Sequence, residues 1–319
     1  MGLAKLVLRR LALGVLTLFL VSLVVFAATQ ALPGDAAHAI LGKSATPERL
    51  SALREQLGLD RSKTSQYLSW LRGAAVGDFG TSLAQGTTVT SLLGFRLKNS
   101  AVLVLLAALI SVPLSLLIGA WSAYRRDGPF DVAHSLVSLS LASLPEFVIG
   151  ILLIMLFSTQ MFHIFPAISR IPSGSSAWNQ PQRLVLPILA LVLSVQPYIS
   201  RILRASMIDV LESDYVQMAR LKGLKEWTVV ARHALPNGLA PTIQATAISI
   251  AWLAGGVVVI EYLFAYPGIG SLYVDAVGSR DLPVVQAITL IIAALYVGLN
   301  LVADVITIVI NPRLRTGLQ

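Results

Sequence analysis

The sequence predicts an all-α transmembrane protein, with six membrane-crossing helices and a small segment outside the bilayer after the first. Composition is the first reason. The 319 residues are 55% hydrophobic and 13% charged, with a mean hydropathy of +0.76, whereas soluble domains carry roughly a quarter charged residues. Such a chain lacks the polar surface to cover itself in water. The second reason is a series of stretches at or near spanning length: residues 11–32, 99–124, 132–162, 184–200, 234–260 and 282–310. Glu146 and Asp304 are the charges inside them. Third, the ten-residue alternation of a membrane barrel is missing, so these stretches must satisfy their backbone groups as helices. With no cysteine, thiolate metal sites and thiol catalysis are excluded.

Lys5, Arg9 and Arg10 precede the first stretch, which is longer than the apolar region of a usual signal peptide. It reads as a retained first helix. With the N-terminus inside, 13 basic residues fall on the cytoplasmic side and 11 outside. Eight of those 11 lie in the long connection 33–98, which is beyond the reach of the positive-inside rule. The remaining 13 against 3 place both termini in the cytoplasm. The chain then divides into an N-terminus and first span (1–32), an extracytoplasmic segment (33–98), a core with five spans (99–310) and a tail (311–319).

The outer segment has its own helical signals. Leu50, Leu53 and Leu57 share a face, Thr46 can cap the helix and Gly58 can end it. A second short helix is expected around 65–71, with Tyr67, Leu68 and Leu71 on one face. Gly73, Gly77, Gly80 and Gly86 then break the pattern. A folded cap and an amphipathic helix lying on lipid both fit. Gly128-Pro129 marks a tight cytoplasmic turn, and outer loops are expected at 163–183 and 264–281.

Residues 201–241 form the largest cytoplasmic connection. Asp214 is expected to cap a helix, with Gln217 reaching back. Tyr215, Met218 and Ala219 follow at helical spacing, and Gly223 supplies a left-handed end. A second short helix near 226–234 presents Trp227, and Pro236 punctuates before the next span. This hairpin, 210–236, either offers apolar residues to a partner's groove or packs on its own bundle.

The run 214–224 followed by Arg232-His233-Ala234-Leu235-Pro236-Asn237 resembles the "EAA" loop of bacterial ABC-importer permeases. It is most similar to the dipeptide/oligopeptide/nickel permease family, first permease of the pair. The Glu-Ala-Ala core is here Gln217-Met218-Ala219, and the family's glycine matches Gly223. The resemblance continues through Leu32-Pro33-Gly34-Asp35, Leu57-Gly58-Leu59-Asp60, Gly77-Asp78-Phe79-Gly80 and Leu144-Pro145-Glu146-Phe147. It extends over 262–270, which includes Tyr266, Pro267, Gly268 and Gly270, then through Arg280-Asp281 to Asn300 and Asp304 in the last helix. Asn311-Pro312-Arg313 replaces an Asp-Pro-Arg ending.

The resemblance implies the six-helix ABC-importer permease fold in a bacterial cell (inner) membrane. It implies a second homologous permease, two cytoplasmic ATP-binding subunits on the hairpin and an extracytoplasmic substrate-binding protein, for peptide import. Asp214, Tyr215, Met218, Ala219, Gly223, Leu224, Trp227 and Pro236 would couple the ATPases. ATP and Mg belong to the partners, since the chain has no phosphate-binding Gly-x-x-x-x-Gly-Lys-Ser/Thr loop. No catalytic residue, metal site or cofactor is expected in this chain, and its net charge of +8 follows from topology rather than from nucleic acid. Besides partner subunits it contacts membrane lipid.

Carboxylates in spans are costly and mark function or pairing. Glu146, after Pro145, is expected to line the pathway or to pair within the bundle. Glu261 is expected at the outer end of its span, and Asp304 to anchor or pack near Asn300. A homodimeric secondary carrier and permeases for nickel chelates or glutathione are the alternatives. The histidines are scattered without metal-site spacing.

Overall fold

The computed structural model describes residues 3–31, 45–56, 60–172, 175 and 177–310, and twelve α-helices run through these described residues. In chain order they are α1 (Leu3–Ala31), α2 (Pro47–Gln56), α3 (Lys63–Ala75), α4 (Val89–Tyr124), α5 (Pro129–Ala142) and α6 (Glu146–Ile154). Then follow α7 (Pro181–Leu211), α8 (Asp214–Leu221), α9 (Glu226–Val229), α10 (Leu235–Leu263), α11 (Ile269–Gly278) and α12 (Leu282–Ile310). Five helical stretches are long and apolar enough to cross a membrane, and α5 with α6 makes a sixth if the bent pair is one span.

Helix α7 is the hub, packing against α4, α5, α6 and α10. Leu103 of α4, Ile149 of α6, Leu191 and Ile199 of α7, and Leu253 and Ile260 of α10 share one apolar core. Small residues bring α4 close to α7: a Cβ on Gly119 would lie 2.6 Å from the Ser200 carbonyl, the close backbone approach favoured between membrane helices. Helix α12 packs on α10 and α1, and α1 lies at the edge with most of its apolar face uncovered.

A buried polar knot ties three helices together. Arg204 of α7 donates to both carboxylate oxygens of Asp131 at 2.5 and 2.6 Å. The Ser122 hydroxyl of α4 donates to the same carboxylate, and the Asp127 amide does so at 3.0 Å. His134 joins Ser122 (3.1 Å) to Ser200 (3.0 Å). An ion pair satisfied from this many directions fixes the turn 125–128 between α4 and α5.

Several expected boundaries move. Helix α4 starts at Val89 rather than 99, so Arg96 and Lys98 sit on a helix. The expected connection from Arg201 is helical to Leu211. The stretch 132–162 is not one straight helix: its halves meet at 105° across 143–145, because Pro145 has no amide to continue the ladder. The second outer helix runs over Lys63–Ala75, past Gly73, and is capped by the Ser62 hydroxyl accepting from the Ser65 amide at 3.3 Å. Leu68 points away from the bundle. Tyr67 and Trp70 instead meet Phe26 of α1, with ring centroids 5.3 and 5.9 Å away. Thr46 does cap α2, its hydroxyl accepting from the Arg49 amide at 3.4 Å. The readings at 32–35, 57–59 and 311–313 lie outside the described residues.

Candidate coupling hairpin, clamp and central cleft

The hairpin is built from backbone chemistry. Ser213, not Asp214, is the N-cap, and Asp214 stands in the first turn, where its charge suits the helix dipole. Gln217 donates to the Glu212 carbonyl at 3.2 Å instead of closing a capping box. At the other end the Leu224 amide reaches the Ala219 carbonyl (3.3 Å) and the Gly223 amide the Arg220 carbonyl (2.9 Å). That pair of bonds is the Schellman pattern, whose penultimate residue is left-handed, and Gly223 has φ +79. A Cβ there would touch nothing within 4 Å. Glycine is needed for conformation, not for room.

Arg220 clips the turn shut. Its guanidinium donates to both Glu226 oxygens at 2.7 and 3.1 Å and to the Leu211 carbonyl at 3.3 Å. The Glu226 carboxylate pushes the Arg220 pKa up from its already high value. Helix α9 then passes through a π turn at Val230–Ala234 into α10, giving a continuous helix over Glu226–Leu263. The second short helix expected near 226–234 is therefore the beginning of a span.

Val216, Ala219 and Val229 point inward against Val210 and Leu211. Tyr215, Met218, Leu224 and Trp227 point outward, as does Leu221, which is 81% exposed. Of the residues singled out from sequence, Ala219 belongs to the buried face, and Pro236 lies at the start of α10. Leu221 escaped the sequence reading because its exposure depends on where the Gly223 turn stops the helix.

The far end of α10 is a closed clamp. Glu261 is fully buried, accepting from the Ser100 hydroxyl at 2.5 Å and the Gly270 amide at 2.7 Å. Ser100 accepts from the Ile269 amide (2.9 Å), Asn99 donates to the Pro267 carbonyl (2.9 Å), and the Tyr266 hydroxyl donates to the Asn99 carbonyl (2.9 Å). Burial and the nearby Glu261 push the Tyr266 phenol above its ordinary range. Gly268 packs directly on the Glu261 carboxylate, leaving no room for a Cβ. The expected outer loop thus contains a helix, α11, with Glu261 at its N-terminus. Asp281 accepts from the Leu83 (3.0 Å) and Ala84 (3.3 Å) amides and from the Ser82 hydroxyl, which ties the 82–84 turn to the bundle. Arg280, beside it, has φ +57.

Glu146 differs. It opens α6 after Pro145, and its buried Oε2 has no hydrogen-bond partner. A cavity of about 350 Å³ beside it is lined by Pro145, Phe147, Ser194 and Trp252 among others. Asp304 pairs with Arg10 at 3.1 Å, while Asn300 turns back to the Tyr296 carbonyl at 2.9 Å. Among the described residues no group of three or more His, Asp or Glu could hold a metal ion.

Two family profiles match the chain. "Binding-protein-dependent transport system inner membrane component" covers residues 111–316, and the N-terminal component of the same transport systems covers residues 3–117. The chain belongs to this family. A Brucella abortus (strain 2308) chain named for a peptide transport system permease is 35% identical to the permease over 97% of this chain and 98% of the relative. The glutathione transport system permease protein GsiC of Escherichia coli (strain K12) is 35% identical over the same shares. The permease is thus the membrane component of an importer, and its long apolar helices make it a multi-span membrane protein.

Proposed function

We propose that the permease forms half of an ATP-driven import pathway for peptides, completed by a second homologous permease. Two cytoplasmic ATP-binding subunits seat on 214–236, and a substrate-loaded binding protein docks on the rim formed by 47–82 and 264–281. Both termini lie in the cytoplasm. The relatives' names, for peptide and glutathione transport, support the substrate class. The observation that carries the coupling role is the apolar ridge Tyr215–Met218–Leu221–Trp227, exposed beside a Gly223 turn.

In this reading the hairpin is a lever. Its second limb is continuous with α10, so a push on Trp227 is carried along one helix to Trp252 and Gly256, which border the Glu146 cleft. The clamp at Glu261 holds the other end of α10 still. Pro145, Glu146 and the bent α5–α6 pair line the moving part of the pathway.

Gly223→Val tests the lever. A β-branched residue at φ +79 is strained by about 1 kcal/mol or more, enough to re-aim the hairpin without touching the core. In proteoliposomes with partner subunits, G223V should lose coupled peptide uptake while inserting normally, and R220A/K222A should lose less. Wild-type uptake and ATPase association in G223V would reject the lever; uptake with no associated ATPase would favour a secondary carrier. Cysteines placed at Ser62 and Thr316 should label from opposite sides of the membrane.

A further inference from the structure

Glu146 poses a problem that the rest of the bundle solves differently. The buried carboxylates Glu261, Asp281 and Asp131 are all saturated by donors, as burial of a charge demands. The carboxylate of Glu146 lies flat on α10 at Gly256, where an added Cβ would come within 2.7 Å of Oε2 and 3.2 Å of Oε1. No donor of the described residues reaches its Oε2. The glycine makes the seat, and none of the described residues pairs a cation with it.

Around the carboxylate the described cleft offers oxygens and rings, its side-chain donors being confined to the Trp252 indole N–H and the Tyr198 hydroxyl. The recess beside Glu146 adjoins a second, of about 300 Å³, and the two share Ala142, Ser194 and Trp252. Ser194 spends its hydroxyl proton on the Leu191 carbonyl at 2.8 Å and Ser249 on the Ala245 carbonyl at 2.9 Å, so both turn lone pairs to any ligand. Trp252 and Tyr198 add half-exposed aromatic rings. Acceptors plus aromatic faces describe a site for an organic cation with several N–H donors. A bare metal ion would need more ligands than one carboxylate, and no second acid joins it among the described residues.

We infer that the Glu146–Trp252–Tyr198 cleft is a recognition point for a primary ammonium group, the free amino terminus of the transported peptide. The inference rests on the proposed import pathway and adds to it the chemical feature read inside the membrane. Glu146 accepts the ammonium's protons, Ser194 and Ser249 offer further oxygens, and the rings cover its apolar neighbours. Displacement of α10 by the hairpin would move Gly256 beneath the carboxylate and so alter the site during the cycle.

The test uses the assembled importer in nanodiscs and two probes of one shape, 2-phenylethylammonium and 2-phenylethanol, in equilibrium dialysis. The wild type should bind the ammonium at least about tenfold more tightly than the alcohol, the scale of a charge-assisted hydrogen bond. Glu146→Gln should erase the preference, and Gly256→Ala, which displaces the carboxylate, should reduce it even if E146Q assembles poorly. Equal binding of the two probes by the wild type, or an unchanged preference in assembled E146Q, would overturn the inference. A parallel uptake assay compares a dipeptide, its N-acetyl form and an N-acetyl dipeptide carrying lysine, each normalised to loaded binding protein. Preference for the free terminus, lost in E146Q, supports the site; preference retained by the lysine form would assign it to side-chain ammonium instead. Wild-type probe preference without uptake of any peptide would support the ammonium site and reject the peptide substrate.

Discussion

At one end of α10, Glu261 is fully buried, and Ser100, Gly270, Asn99 and Tyr266 close a web of bonds around it. At the other, Leu221 and Trp227 stand in the open on a hairpin held inward by three small buried contacts, Val216, Ala219 and Val229. One end hides charge and satisfies it; the other shows apolar surface and leaves it uncovered. In a membrane protein these are opposite costs, because buried polar groups demand partners and exposed apolar ridges outside the bilayer invite them. In the proposed reading the clamp stays put and the hairpin is touched.

If that contrast is right, cutting the clamp should do the greatest damage to the folded chain. Glu261→Ala strands the Gly270 amide and Ser100 in a dry site, at a cost of about 3 kcal/mol. Thermal unfolding in detergent should fall by several degrees, and the hairpin residues should remain as exposed as before. A wild-type melting temperature would mean that the clamp is dispensable. Asp281→Ala comes next. It frees the 82–84 turn from the bundle at about 2 kcal/mol, and its expected signature is faster proteolysis near Leu83 with little change in the melting of the core; unchanged cleavage would contradict it. The smallest effect belongs to the half-exposed Arg10–Asp304 pair, 3.1 Å apart. Arg10→Ala should cost about 0.5 kcal/mol, which a charge-reversal double-mutant cycle would measure; a coupling of several kcal/mol would move α1 from the edge to the load path.

Much of this was legible in the sequence, for physical reasons. The long apolar helices and the hairpin's turn follow from hydropathy and from a glycine between two helical patterns, both local signals. Gly223 was expected to be left-handed and is. What depends on tertiary meeting was not legible. Arg204 lies 73 residues from Asp131, and it joins Asp131, His134 and Ser122 in one knot only because α4, α5 and α7 converge. Ser100 and Asn99 gave no sign that they would hold the Tyr266–Gly270 turn. Helix α11 was hidden inside a presumed loop, since a short apolar helix between glycines reads as turn. The N-cap at Ser213 rather than Asp214 is a shift of one residue, within the ordinary uncertainty of helix ends.

The account stands or falls on whether the exposed ridge is where the ATPase sits. The chain has no native cysteine, so Leu221→Cys, Leu224→Cys and Trp227→Cys can each be cross-linked in the assembled complex, with Leu117→Cys on an exposed part of α4 as the control. The three hairpin cysteines should cross-link to the ATP-binding subunit and Leu117→Cys should not. An assembled, ATP-hydrolysing complex in which none of the three hairpin positions reaches that subunit would contradict the coupling assignment.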